Sequence, residues 1–248
     1  MLNKILELGI SKTEANELLK VSKNIEEDYQ KLLNGYPIQY LIGYVNFYGN
    51  KIEVNENVLI PRYETEYLCE KLINYSKKYF DNKISILDIG TGSGCIGITL
   101  KKELDSLVTV SDISDRAIEL AKINAKNNNA DINIIKSNVF DNINDKYDII
   151  VSNPPYIDID EKIMDSVKKY EPHVALYAED NGLYFYKEIL KNAKNYLKEK
   201  SIIAFEIGWW QGKLIKEIAL NYFKESNITI EKDLTGRDRY IFIFNNCE

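Results

Sequence analysis

Asn153-Pro154-Pro155-Tyr156 follows directly on the apolar run Tyr147–Ser152. Two consecutive prolines remove two backbone N–H donors and fix two φ angles. The segment therefore continues neither a helix nor a central strand. What remains is a stiff, acceptor-rich edge: the Asn153 side-chain oxygen and the Pro154 carbonyl, held by Pro155, with the Tyr156 ring beside them. Such an edge suits a planar NH2 group, an amide or a nucleobase amine. The expected chemistry is at a nitrogen.

A second constellation reads Asp88-Ile89-Gly90-Thr91-Gly92-Ser93-Gly94-Cys95. Glycines at alternate positions let the backbone bend sharply and meet a ligand with no Cβ in the way. A helix opening at Cys95 aims free N–H groups at the same place. Gly92-Ser93-Gly94-Cys95-Ile96-Gly97 also fits the dinucleotide fingerprint, a weak signal by itself. Asp88, two residues before the first glycine, and the three alternate glycines favour S-adenosyl-L-methionine over a nicotinamide cofactor. Asp88 would meet the cation of the methionine moiety, with Thr91 and Ser93 in the same cradle. Asp112 lies about 20 residues past the loop, where these folds bind a ribose diol. Ser114 is the better helix cap, which leaves Asp112 free. Asn138-Val139-Phe140 would bracket an adenine ring.

These groups must be positioned by strands. Ile84–Ile89, Leu107–Ser111, Ile132–Ile135 and Tyr147–Val151 read as strands, with helices over Cys95–Leu104 and Ala117–Asn128. The four candidate sites then fall at the carboxyl ends of four successive strands, the crevice where open α/β sheets bind ligands. Beyond them the spacing predicts a helix over Gly182–Leu197, a strand over Ser201–Glu206 and a helix over Lys213–Phe223. Ile228–Glu231 and Tyr240–Phe244 are separated only by a turn near Gly236, so they should be antiparallel. The expectation is a mostly parallel α/β sheet with an antiparallel strand at its C-terminal end. Residues 1–35 read as short helices, with capping signals at Ser11-Lys12-Thr13-Glu14 and Asn24–Glu27. A hairpin turning at Gly49-Asn50 follows. The division is expected at residues 1–60, a small helical unit with its hairpin, and 61–248, a catalytic unit.

Composition narrows the classes. At 248 residues and 45% hydrophobic content the chain can bury one large core and an accessory unit. No apolar run nears the roughly 18 residues of a membrane span, and the first residues lack a signal-peptide pattern. A cytoplasmic protein, without membrane partners, is the default. Three scattered cysteines and one histidine argue against structural zinc. His173, within Glu171-Pro172-His173, reads as structural, and Trp209-Trp210 as packing. The net charge of −6 disfavours a broad nucleic-acid footprint.

With these residues in place, the chain resembles the peptide chain release factor N5-glutamine methyltransferases (the PrmC/HemK family). The matching segments are Gln39–Gly43, Leu59-Ile60-Pro61-Arg62 with Glu64-Thr65-Glu66, Asp88–Gly94, Val151–Ile157, Glu171-Pro172, Glu206-Ile207-Gly208 and Gly236–Arg239. Tyr63 stands where the family often has proline, and Asn138-Val139 where related chains often carry an acid. The resemblance implies a Rossmann-like class I fold with a seven-stranded sheet. It implies methylation of the glutamine in the Gly-Gly-Gln motif of class 1 release factors. It also implies cofactor contacts from Gly90–Gly94, Asp112, Val139 and Asn153, a glutamine held by Asn153–Tyr156, and a monomer. The rivals are an adenine-N6 nucleic-acid methyltransferase, a non-catalytic binder of the same cofactor, and a nicotinamide-dependent reductase. Residues 1–60 hold six lysines, no arginine and eight acids, a poor surface for reading DNA.

Overall fold

The structure, a computed structural model, describes residues 1–247. Nine strands run in chain order: β1 Tyr44–Phe47, β2 Asn50–Glu53, β3 Ile84–Ile89, β4 Ser106–Asp112, β5 Asn133–Lys136, β6 Tyr147–Ser152, β7 Leu197–Glu206, β8 Asn227–Lys232 and β9 Asp238–Asn245. β1 and β2 form a hairpin, and the rest form one sheet in the order β5-β4-β3-β6-β7-β9-β8. β5, β4, β3, β6 and β7 pair in parallel. β9 lies antiparallel between β7 and β8, as the short turn at Gly236 requires. The strand order reverses between β3 and β6, which creates a switch point with an open crevice at the carboxyl ends.

The pleat sorts side chains onto two faces. On β9, Tyr240, Phe242 and Phe244 join one core while Ile241 and Ile243 join the other. Each of these buried side chains contributes about 1.5–3 kcal/mol. Phe47, Ile52, Val54 and Val58 pack into the first of these cores, which seats the hairpin on the sheet unit. Ile5, Ala15, Leu18, Leu32 and Ile38 form a separate small core at the N-terminal end. There the Ser11 hydroxyl accepts the Glu14 N–H at 3.2 Å. Glu14 answers by accepting from that same hydroxyl.

Several elements depart from the expected ones. The hairpin turns at Tyr48-Gly49, whose φ values of 47° and 76° suit a two-residue turn. Asn50 pairs with Phe47 instead, and its buried amide accepts from Lys102 Nζ at 2.7 Å. The helix expected from Gly182 starts at Tyr184 and ends at Asn192. Asp180, Asn181 and Gly182 are all left-handed, with φ of 60°, 52° and 75°, so the chain unwinds there. A helix over Tyr63–Tyr79, absent from the sequence-based expectation, buries Leu68, Cys69, Leu72, Ile73 and Ser76. A short helix, Asp165–Tyr170, was likewise not expected. Trp209 and Trp210 join neither core of the sheet: they are 58% and 38% exposed.

Candidate active site

One cleft, with about 1120 Å³ of empty space including its mouth, lies across the carboxyl ends of β3, β4, β5 and β6. Gly90, Thr91, Gly92, Ser93, Asp112, Asn138, Val139, Asn153, Pro154 and Pro155 all line it. Residues far apart in the chain are thus brought to one wall because β3, β4 and β6 end in register, with Ile89 opposite both Ser111 and Ser152.

The glycine loop is pinned from below. Gly90 and Thr91 N–H groups both donate to the Ser111 carbonyl, at 2.8 and 2.9 Å. Gly92 N–H donates to Asp112 Oδ2 at 2.9 Å, and Ser114 N–H to Asp112 Oδ1 at 2.9 Å. Gly90 and Gly92 have φ of 73° and 55°, and a Cβ on either would meet no protein atom within 4 Å. Both therefore border open cleft. Gly97 serves packing instead. A Cβ there would sit 2.2 Å from Val110 Cγ1, so the helix Cys95–Glu103 rests on the sheet only because that residue is glycine. Asn124, fully buried, donates to the carbonyls of Glu53 and Ser93 and accepts the Glu53 N–H. It joins the hairpin to the glycine loop.

Three expected site residues stand behind the wall rather than on it. Asp88 is fully buried; its Oδ2 accepts from Thr91 Oγ1 at 2.6 Å and Gly97 N–H at 3.2 Å, while Oδ1 has no partner. Burial pushes its carboxyl up to about 7, against the pull of those two hydrogen bonds. Asp88 braces the loop and presents no atom to the cleft lining. Gly94, with Ile98 Cδ1 3.3 Å from its ideal Cβ, packs against helices. Tyr156 packs against the second core, and burial raises its phenol. Its carbonyl, not its ring, is the structural handle, accepting from Gln211 Nε2 at 3.0 Å. The Tyr156 ring does not line the cleft; Pro155, Val174 and Phe185 are among the apolar groups that do.

Asn153 is oriented by residues whose role the sequence did not reveal. Its Nδ2 donates to Thr65 Oγ1 at 3.2 Å, and Thr65 Oγ1 donates to buried Glu206 Oε2 at 2.7 Å. Burial lifts the Glu206 carboxyl to about 7; the Thr65 hydroxyl and then Arg239 oppose the shift. Among the described residues, neither Asn153 Oδ1 nor the Pro154 carbonyl accepts a hydrogen bond from the protein. Arg62, also on the cleft, pairs with buried Glu171, whose second oxygen accepts the Ile60 N–H at 3.2 Å. That pair fastens two rim segments together. Val139 sits at φ 49°, a strained conformation for a β-branched residue. Its carbonyl is caught by Ser137 Oγ at 3.1 Å. His173 is exposed and bonds the Lys168 carbonyl at 2.9 Å, outside the cleft lining.

A family model described as Methyltransferase small domain matches residues 65–170. A release factor glutamine methyltransferase of Streptococcus pneumoniae is 46% identical over 172 residues, 68% of this chain and 61% of the relative. Another, of Lactococcus lactis subsp. lactis, is 40% identical over 224 residues, covering 89% of this chain and 82% of the relative. The chain belongs to the release factor glutamine methyltransferase family. A crystal structure of a methyltransferase from Pyrococcus furiosus shares the fold, with TM-score 0.59 at 20% identity, covering 88% of this chain and 97% of that one.

Methyltransferases of this kind draw their methyl group from S-adenosyl-L-methionine, and the cleft fits it on three counts. Gly90 and Gly92 leave a cradle where any Cβ would project into the cleft. Asp112 borders the same space with a carboxylate suited to a ribose diol. Ile113, Ala117 and Val139 supply apolar contacts beside it. Gly92→Ala should therefore weaken binding of S-adenosylmethionine tenfold or more, about 1.4 kcal/mol, with the fold retained. Titration calorimetry checks this, and unchanged affinity would remove Gly92 from the cofactor site. Among the described residues no helix is long and apolar enough to cross a membrane.

Proposed function

We propose that the protein transfers the methyl group of S-adenosylmethionine to the side-chain nitrogen (N5) of the glutamine in the Gly-Gly-Gln motif of class 1 release factors. The observation that carries this reading is the pair of unpaired acceptors, Asn153 Oδ1 and the Pro154 carbonyl, beside the glycine cradle. An amide nitrogen is a poor nucleophile because its lone pair is delocalised. Two neutral acceptors, one for each N–H, would hold the NH2 with its lone pair facing the methyl carbon. They also favour the positive charge that develops on nitrogen. Bound S-adenosylmethionine supplies the methyl group as a sulfonium; the N–C bond forms as the S–C bond breaks. The methylated, protonated amide is strongly acidic and loses its extra proton to water, so no tuned base is needed. Alignment of this kind can contribute about 7–11 kcal/mol.

In this reading Gly90–Gly92 approach the methionine moiety, Asp112 the ribose, and Asn138 and Val139 the adenine. Residues 1–60 form the substrate-recognition unit and 61–248 the catalytic unit. The separate core around Leu18 and the excess of acids over lysines support a protein-reading surface over a nucleic-acid one. The protein would work as a cytoplasmic monomer. A tritium-transfer assay offering a class 1 release factor, DNA and RNA in parallel tests the proposal. Label should appear only in the release factor, on the Gly-Gly-Gln peptide by mass analysis; label in nucleic acid instead would overturn it.

A further inference from the structure

We infer that Thr65 and Glu206 are positioning residues that decide which atom of the Asn153 amide faces the substrate nitrogen. The inference rests on the function proposed above. The oxygen and the NH2 of an amide have nearly the same shape, so packing alone does not choose between them. A hydroxyl has one proton and two lone pairs. The Thr65 proton goes to Glu206 Oε2 at 2.7 Å. Only lone pairs then remain for Asn153, which must offer Nδ2, at 3.2 Å, and leave Oδ1 to the cleft. A proton on Glu206 Oε2 reverses the chain. Thr65 would accept from Glu206 and donate to Asn153 Oδ1, turning the asparagine NH2 toward the substrate NH2. Donor would then face donor, and the nitrogen would lose its hold.

Glu206 is placed to titrate in the working range. Burial raises it to about 7. At the start of the Tyr63–Tyr79 helix, Arg62 at its N-cap favours the charged form and Glu64 in its first turn opposes it. From β9, Arg239 favours charge, and the Tyr240 phenol lies in the same field. Tyr156 and Tyr186 complete the surroundings, with Tyr186 donating to the Glu206 backbone carbonyl at 2.8 Å. Two buried thiols, Cys69 and Cys95, also feel its charge. The ionised form has the correct polarity, so kcat should fall about tenfold per pH unit below about 7.

The test uses the full chain, S-adenosylmethionine and a purified class 1 release factor. Glu206→Gln does not titrate, so its kcat should be flat between about pH 6 and 8.5, on a plateau below the wild type's. Thr65→Val should lower kcat at least tenfold while the calorimetric affinity for S-adenosylmethionine holds, and Thr65→Ser should restore most of the rate. An unchanged acid limb in Glu206→Gln, or wild-type kcat in Thr65→Val, overturns the inference. If the wild type methylates no release factor, the function reading itself fails. Melting then still tests Glu206. Its folded pKa lies above its unfolded value, so it contributes stability that is present below the ordinary 4.5 and is lost as pH rises from there to about 7. The wild-type melting temperature should fall over that window relative to Glu206→Gln, and parallel curves would rule the titration out.

Discussion

Replacing Asn153 by alanine should lower kcat by about 10²–10³-fold and leave the affinity for S-adenosylmethionine within a few-fold of wild type. The magnitude is that of one preorganised polar contact removed from a developing charge, about 2.7–4 kcal/mol. Among the described residues Oδ1 is the side-chain acceptor of the Asn153–Pro155 edge, and no protein donor pairs with it. Its partner acceptor, the Pro154 carbonyl, survives the substitution, but a single acceptor lets the substrate NH2 rotate. The loss should therefore fall on kcat rather than on binding of the methyl donor, a role assigned chiefly to the glycine loop. Single-turnover rates with saturating release factor, set beside calorimetry, separate the two. Full turnover with intact affinity would end the role assigned to Asn153.

The second large effect lies outside the cleft. Gly182→Ala would place a Cβ 2.1 Å from the Tyr156 carbonyl oxygen, 2.8 Å from its carbon and 2.7 Å from Gln211 Nε2, at a φ of 75°. The left-handed backbone alone costs an alanine about 1–2 kcal/mol. Overlap with backbone adds to this, because Tyr156 can retreat only by dragging Pro154 and Pro155 with it. The sum should reach at least about 3 kcal/mol, a melting point lower by about 6–12 °C for a chain of this size, with kcat reduced as the edge shifts. Gly43→Ala is the matched control: its φ is 85°, and nothing lies within 4 Å of its ideal Cβ. Equal melting points for the two variants would show that strain, not contact with the Tyr156 carbonyl, decides the outcome.

Much of the sheet was legible because its strands are short apolar runs ending in residues with special chemistry. β3 ends as expected at Ile89, where Gly90 turns to a φ of 73°, and β6 runs one residue past the expected Val151, stopping short of Pro154. The helix over Tyr63–Tyr79 was hidden because its buried face mixes Leu68 and Leu72 with Cys69 and Ser76, and exposed Tyr63 with half-buried Tyr67, Tyr75 and Tyr79 blurs the stripe. Its charge pattern did carry a signal: Glu64 and Glu66 in the first turn, Lys77 and Lys78 in the last. Gly182 looked like a helix start, yet it is the last of three left-handed residues that no apolar period encodes. Within the site, the glycine loop, Asp112 and Asn153 were readable from residue type and placement. That Asp88 and Tyr156 face inward was not, since orientation depends on what packs behind them. Nor could spacing show that Thr65 and Glu206, separated by 141 positions, meet through a hydroxyl.

One buried amide ties the hairpin to the wall of the cleft. Asn124 holds both Glu53 of the hairpin and Ser93 of the glycine loop. Were a protein substrate to dock on the hairpin side, reciprocity would apply: whatever factor the methyl donor contributed to that docking, the docked protein would return to the donor.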